Sequence, residues 1–162
     1  MGESMTAVHI RKANIDDAAT SFAIRRDAIR EQCRGHYSQG DLDIWTAGSM
    51  SETFARRVAE VFYVAVVDEV VVGTGMIDLA SGRIDAVFVL PAYMGKGVGR
   101  AMVDYLERLA VEAGLGELQL ESTLNAAPFY RALGFEGEGR SIYRSGLGVS
   151  IACVPMVKPL RY

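Results

Sequence analysis

Residues 84–112 read IDAVFVLPAYMGKGVGRAMVDYLERLAVE, and the order of textures in this stretch decides the architecture. It opens as a short apolar run rich in Val and Phe, passes Pro91, and reaches glycines at alternate positions, Gly95, Gly97 and Gly99. Beyond them Val98, Met102, Tyr105, Leu106 and Leu109 recur at helical spacing, while Arg100, Asp104, Glu107, Arg108 and Glu112 take the other face. The unit is therefore strand, glycine loop, helix. A helix start carries several N–H groups without internal partners and a partial positive charge, and glycines let a ligand approach that backbone closely. The stretch is a candidate anion site, where a plain tight turn would need fewer glycines.

Spacing removes two familiar phosphate loops. A Walker loop needs Gly-Lys followed by Ser or Thr, and Lys96 is followed by Gly97. A dinucleotide fingerprint needs G-x-G-x-x-G in an opening strand-helix-strand unit, whereas GKGVG lies well inside this chain.

Composition bounds the rest. At 162 residues and 50% hydrophobic, the chain is expected to form one globular domain, 1–162, with a core of its own and no room for a second. A net charge of −3 without any run of Lys and Arg argues against a general nucleic-acid binder. The N-terminus lacks a signal-peptide core, and no apolar run reaches the roughly 18 residues needed to span a bilayer. No membrane partner and a cytoplasmic location are expected, and a homodimer is left open. Cys33 and Cys153 are far apart and have no ligand companions nearby, so reduced thiols are expected rather than a disulfide or a metal site.

Taken in order, residues 8–12 read as an edge strand, followed by a helix capped by Asn14 or Asp16 and running to about Cys33, with Ala18, Phe22 and Ile29 on its buried stripe. Residues 35–41 are polar and turn-forming, and a short segment around Trp45 follows. Ser51 caps a second helix with Phe54 and Val58 turned inward. Residues 61–67 and 70–76 form a hairpin across Asp68-Glu69, and Ser81-Gly82 turns the chain into a third strand over 84–90. After the loop helix, Gly114 and Gly116 stop it, and 117–121 reads as a strand parallel to the third. A helix over roughly 125–133 leads through Gly134-Phe135 to closing strands near 141–144 and 149–157.

Two motifs, taken together, identify the family. Val89-x-Pro91-x-x-Met94-Gly95-x-Gly97-x-Gly99 resembles the acyl-CoA-binding run V-x-P-x-x-[RQ]-G-x-G-x-G of the GNAT (general N-acetyltransferase) superfamily. Thr123-x-x-Ala126-x-x-Phe129-Tyr130-x-x-x-Gly134-Phe135 resembles its N-x-x-A-x-x-[LF]-Y-x-x-x-G-F pattern, with Thr123 where Asn is usual. Motifs and element order cover nearly the whole chain from Val8. The resemblance implies an α/β (α+β) GNAT fold: a mixed, mostly antiparallel sheet of about six to seven strands, splayed at the acyl-CoA site and flanked by about four helices.

It further implies an acetyl-CoA-dependent N-acetyltransferase acting on a primary amine of a small molecule or amino-acid side chain, by direct attack in a ternary complex and without a metal. The alternative is a non-catalytic acyl-CoA sensor of the same fold, and the presence of Tyr130 favours the enzyme. In the family a bulged strand offers free backbone groups to the pantetheine arm and acetyl carbonyl; here these are Val87, Phe88 and Val89. The pyrophosphate would sit on the backbone of Gly95, Lys96, Gly97, Val98, Gly99 and Arg100, with Thr123 and Asn125 also in the cofactor site.

Tyr130 matches the tyrosine that serves many members as general acid, and an ordinary phenol is protonated at neutral pH. Asp85 is the candidate base; a solvated strand acid or a partner for Arg83 are its other readings, and a bulge between Asp85 and Val89 would break their shared face. The position where some members carry an acid, twelve before the tyrosine, is Leu118. Met94 replaces the usual Arg or Gln and cannot donate to phosphate. The acceptor is expected near His36, Tyr37 and Trp45, of which His36 also reads as a solvated loop residue and Trp45 as a hydrophobic plug.

Overall fold

The computed structural model describes residues 7–144 and 148–160. Strands β1 (His9–Lys12), β2 (Phe62–Val67), β3 (Val70–Asp78), β4 (Arg83–Val89), β5 (Glu117–Thr123), β6 (Ser141–Arg144) and β7 (Ser150–Pro159) form one sheet in the order β1-β2-β3-β4-β5-β7-β6. All neighbours are antiparallel except β4 and β5, the parallel pair expected on either side of the loop helix. Helices α1 (Ala18–Gln32), α2 (Gln39–Trp45), α3 (Glu52–Val61), α4 (Val98–Glu112) and α5 (Ala127–Ala132) complete the GNAT α/β fold.

Local chemistry explains most boundaries. Asp68 and Glu69 both take positive φ, 48° and 69°, the conformation that matches a two-residue turn to the twist of β2 and β3. The Asn14 side chain accepts from Asp16 N–H, and the Asp17 carboxylate accepts from Asn14 N–H and from Arg11 Nη1 and Nη2 at 2.8 and 3.0 Å. That fork ties the entry of α1 to the edge strand, and it holds the Asp17 carboxyl below the usual carboxylate range. Ser51 caps α3 through Phe54 N–H as expected. Ser38 does the same for α2 through Asp41 N–H, so a helix starts inside the stretch read as a turn, and five helices flank the sheet where four are expected.

The two faces of the sheet carry different cores. On one, Val98, Met102, Leu106 and Ala110 of α4 pack against Ala65, Val72 and Ile84. The approach is close because β3 lacks side chains where α4 crosses it: a Cβ on Gly75 would lie 2.6 Å from Met102. On the other face Val58, Phe62, Val64 and Met76 pack with Ala13 and Ala18.

The sheet opens in its middle. Thr74 pairs with Phe88 and Met76 with Asp85, so Ala86 and Val87 of β4 oppose the single Gly75 of β3. This is a β-bulge; Ala86 takes φ +53° within it, and the Thr74 hydroxyl secures it by donating to Ala86 C=O at 2.7 Å. β4 meets β5 in register only at Arg83 opposite Gln119, whereas β5 pairs with β7 from Glu117 to Thr123. Beyond Arg83, β4 and β5 part.

Candidate active site

The parting strands open a cavity of about 320 Å³, lined by residues 83–88 of β4, residues 120–123 of β5, one face of α1, and Tyr130. The bulge decides which backbone groups face it. Leu90 N–H donates to Val72 C=O, so the peptide groups of Val89 turn the other way, and the Val89 carbonyl accepts from Gln32 Nε2 at 3.0 Å. Val87 and Phe88 line the cavity directly.

Tyr130 is both a core residue and a cavity residue. Its ring packs edge-on between Phe129 and Phe135, with centroids 5.0 and 5.6 Å away, and it is 8% exposed. Burial pushes its phenol above the ordinary range, and the negative charge of Asp85 adds to the rise. Asp85 is exposed and lines the same cavity, its Oδ1 accepting from Ala86 N–H at 2.9 Å. It does not pair with Arg83, whose guanidinium meets Glu121 at 3.0 Å instead. The bulge also breaks the parity that would have aligned Asp85 with Val89. Leu118 is fully buried in the core.

The glycine loop lies at the start of α4. Gly95 and Gly97 take φ of +75° and +83°, and nothing stands within 4 Å of where their Cβ atoms would be. Ala101 N–H is the donor to Gly97 C=O, which leaves the N–H groups of Val98, Gly99 and Arg100 without intrahelical partners. Val98 turns its side chain into the core, so it offers only its backbone. Lys96 Nζ lies 5.5 Å from the centre of the Tyr93 ring, Arg100 faces Asp104 at 3.9 Å, and Met94 is half exposed. A Cβ on Gly99 would lie 3.2 Å from Phe129, so the loop abuts the helix that carries Tyr130. Thr123 and Asn125 line the cavity, and among the described residues the buried Asn125 Oδ1 has no hydrogen-bond partner. An open row of N–H groups at the start of α4 suits a phosphate-bearing ligand such as coenzyme A, and the orphaned amide oxygen in the cavity suits a ligand that carries amides.

The residues expected around the acceptor separate. Trp45 lines the cavity and packs against Tyr143 and Tyr37. Tyr37 is not among the lining residues; its hydroxyl accepts from Leu124 N–H and donates to Ala152 C=O, bridging β7 to the loop after β5. His36 is exposed and also stands outside the lining. Sequence reading missed Ser21, Arg25 and Gln32, which share the cavity face of α1 with Ala28 and Ile29. Their spacing of four and seven residues was a usable signal: polar side chains interrupting an otherwise apolar stripe.

Among the described residues no helix is long and apolar enough to cross a membrane. The family model for the Acetyltransferase (GNAT) family matches residues 24–135. The crystal structure of a GCN5-related N-acetyltransferase from Rhodopseudomonas palustris superposes with a TM-score of 0.87 over 99% of both chains at 28% identity. A PaiA N-acetyltransferase from Thermoplasma acidophilum, crystallised with coenzyme A, shares the fold at 20% identity, with a TM-score of 0.72 over 95% of this chain and 99% of that one. Among curated sequences, the histone acetyltransferase TAP1 of Glycine max is 36% identical over 56 residues, 35% of this chain and 24% of that protein. The glucosamine 6-phosphate N-acetyltransferase of Trypanosoma brucei brucei is 35% identical over 63 residues, 39% of this chain and 43% of that protein. The chain thus spans under half the length of these two curated relatives. A splayed β4–β5 pair, a glycine loop opening α4 and a tyrosine at their junction agree with the match over residues 24–135, and the chain belongs to the Acetyltransferase (GNAT) family.

Proposed function

We propose that the protein transfers an acetyl group from acetyl-CoA to a primary amine by direct attack within a ternary complex. The observation that carries this reading is the convergence of Tyr130 and Asp85 on one cavity at the parted strands, with the glycine loop abutting the helix that carries Tyr130. The amine nitrogen bonds to the acetyl carbonyl carbon, and the carbon–sulfur bond breaks. One proton leaves the amine, and one arrives on the departing thiolate. Tyr130, held neutral by burial, donates toward the sulfur, and Asp85 or a water it orders accepts from the amine. Backbone N–H groups of the bulged strand are the donors for the oxyanion. Lys96 and Arg100 reinforce the pyrophosphate site, since exposed side chains can turn toward bound phosphate.

The test is incubation of the purified protein with acetyl-CoA and a panel of primary amines, following free thiol and acetylated product. Cys33 and Cys153 do not confuse the readout, because each is 3% exposed and burial pushes each thiol up to about 11, leaving both protonated at assay pH. Amine-dependent thiol release is expected; tight acetyl-CoA binding without release for any amine would identify a sensor instead. In Asp85→Asn, kcat/KM is expected to fall roughly 10- to 10²-fold with the acidic limb of its pH profile removed and acetyl-CoA affinity kept. An acidic limb that survives at wild-type rate would assign it to the acceptor amine losing its own proton.

A further inference from the structure

The α1 wall of the cavity holds charge and hydrogen-bonding capacity that acetyl transfer does not use. Arg25 is half-buried and lines the cavity, yet no carboxylate stands within ion-pair distance of it among the described residues. Its one hydrogen bond to the described residues is a long one, Nη2 to Trp45 C=O at 3.3 Å, which leaves most of its five donors uncommitted among them. One helical turn earlier, Ser21 is 1% exposed, lines the same cavity, and has a buried Oγ without a partner among the described residues. Residues four apart on a helix share a face, so the hydroxyl and the guanidinium form one patch. A buried, unsatisfied hydroxyl beside a desolvated guanidinium lacking a counter-ion is costly unless a ligand completes both.

The charge balance specifies the ligand. Arg83 is neutralised by Glu121, so the cavity retains Arg25 and the exposed Arg57 against Asp85 alone. Asp85 and Tyr143 are the groups that act on Arg25 electrostatically, and Asp85 also acts on Tyr130. The site is therefore bipolar, cationic at Arg25 of α1 and Arg57 of α3 and anionic at the bulge, with a surplus suited to one negative charge. A cavity of about 320 Å³ fits a small molecule.

We infer that the acceptor is a small amino carboxylate: its carboxylate is held by the Arg25 guanidinium with the Ser21 hydroxyl donating beside it, and its amino group lies toward Asp85 and Tyr130. This rests on the acetyltransferase reading and narrows it. A guanidinium fork matches a carboxylate in plane through two parallel N–H bonds, whereas a doubly charged phosphate would leave excess negative charge beside Asp85.

The test measures kcat/KM for free amino acids, their carboxamides and phosphoethanolamine in the wild type, Arg25→Gln, Arg25→Lys and Ser21→Ala. In the wild type, acids are expected to exceed their amides by roughly 10- to 100-fold. The ratio should fall to near one in Arg25→Gln through KM, recover partly in Arg25→Lys, and drop severalfold in Ser21→Ala, with the KM for acetyl-CoA unchanged. Kd values for N-acetyl amino acids against N-acetyl carboxamides, with coenzyme A present, read the same ratio without turnover. A wild type indifferent to the carboxylate, a preference for phosphoethanolamine, or a ratio that survives in Arg25→Gln would overturn the inference while acetyl-CoA binding and thiol release stand. Absence of acetyl-CoA binding would overturn the acetyltransferase reading and this one with it.

Discussion

Tyr130→Phe is expected to lower kcat by roughly 10²- to 10⁴-fold while leaving the fold and the affinity for acetyl-CoA in place. Phenylalanine keeps the ring that packs against Phe129 and Phe135, so the core loses only the hydroxyl. The proposed mechanism loses its proton donor. Because burial and the charge of Asp85 both raise the phenol above its ordinary value near 10, Tyr130 stays neutral across the usable pH range. The sign of that shift matters: the neutral form is the donor, so a raised pKa extends activity toward high pH, and any basic limb at lower pH belongs to another group. The same shift makes Tyr130 a weaker acid than a free thiol of pKa near 8.5, so complete transfer to the thiolate is uphill. In the proposed reaction the hydroxyl acts as the carbon–sulfur bond breaks and must be reprotonated in the same turnover, which ties its role to the proton given up by the amine. A kcat unchanged in Tyr130→Phe, measured where chemistry limits the rate, would move the proton source to water.

Much of this arrangement is legible in the chain because it depends on residues with strong local meaning. Asp68-Glu69 between two β-rich runs, Ser51 before an amphipathic run, and alternate glycines after Pro91 each act within a few residues, and each appears in the structure where expected. The bulge is different. No glycine or proline marks Ala86; its left-handed backbone is imposed by the register of β3 and by the Thr74 hydroxyl, both set by residues distant in sequence. Asp85 had Arg83 as an obvious near partner, yet Arg83 turns to Glu121 on the one strand that meets β4 in parallel. Tyr37 sits in the loop expected to face the acceptor, but the Leu124 N–H and the Ala152 carbonyl claim its hydroxyl. The polar stripe of α1 was legible as a break in an apolar face, but the cavity it lines is set by strands distant in sequence. Local motifs therefore mark the glycine loop proposed for the cofactor, and tertiary placement brings together the residues proposed for the acceptor.

The glycine loop yields the second large effect. Gly97→Asp is expected to weaken acetyl-CoA binding by a factor that Gly97→Asn does not reproduce, and the difference between the two isosteric variants measures anion binding at the loop. Gly97 takes φ +83° directly before α4, a left-handed conformation that costs any side chain some strain. Asn and Asp tolerate it better than most residues and nearly equally, so strain cancels between them. Neither clashes sterically, because nothing lies within 4 Å of the Cβ position. What remains is charge. A carboxylate about 5 Å from a phosphate, at an effective dielectric near 20, costs roughly 3 kcal/mol, or about 10² in Kd. The gap should narrow as salt is raised, since the loop is exposed and screening acts on it. Calorimetry on both variants, with thermal unfolding as a check that each folds, would decide the matter. Equal Kd values for Gly97→Asp and Gly97→Asn would mean that the pyrophosphate does not sit on this loop.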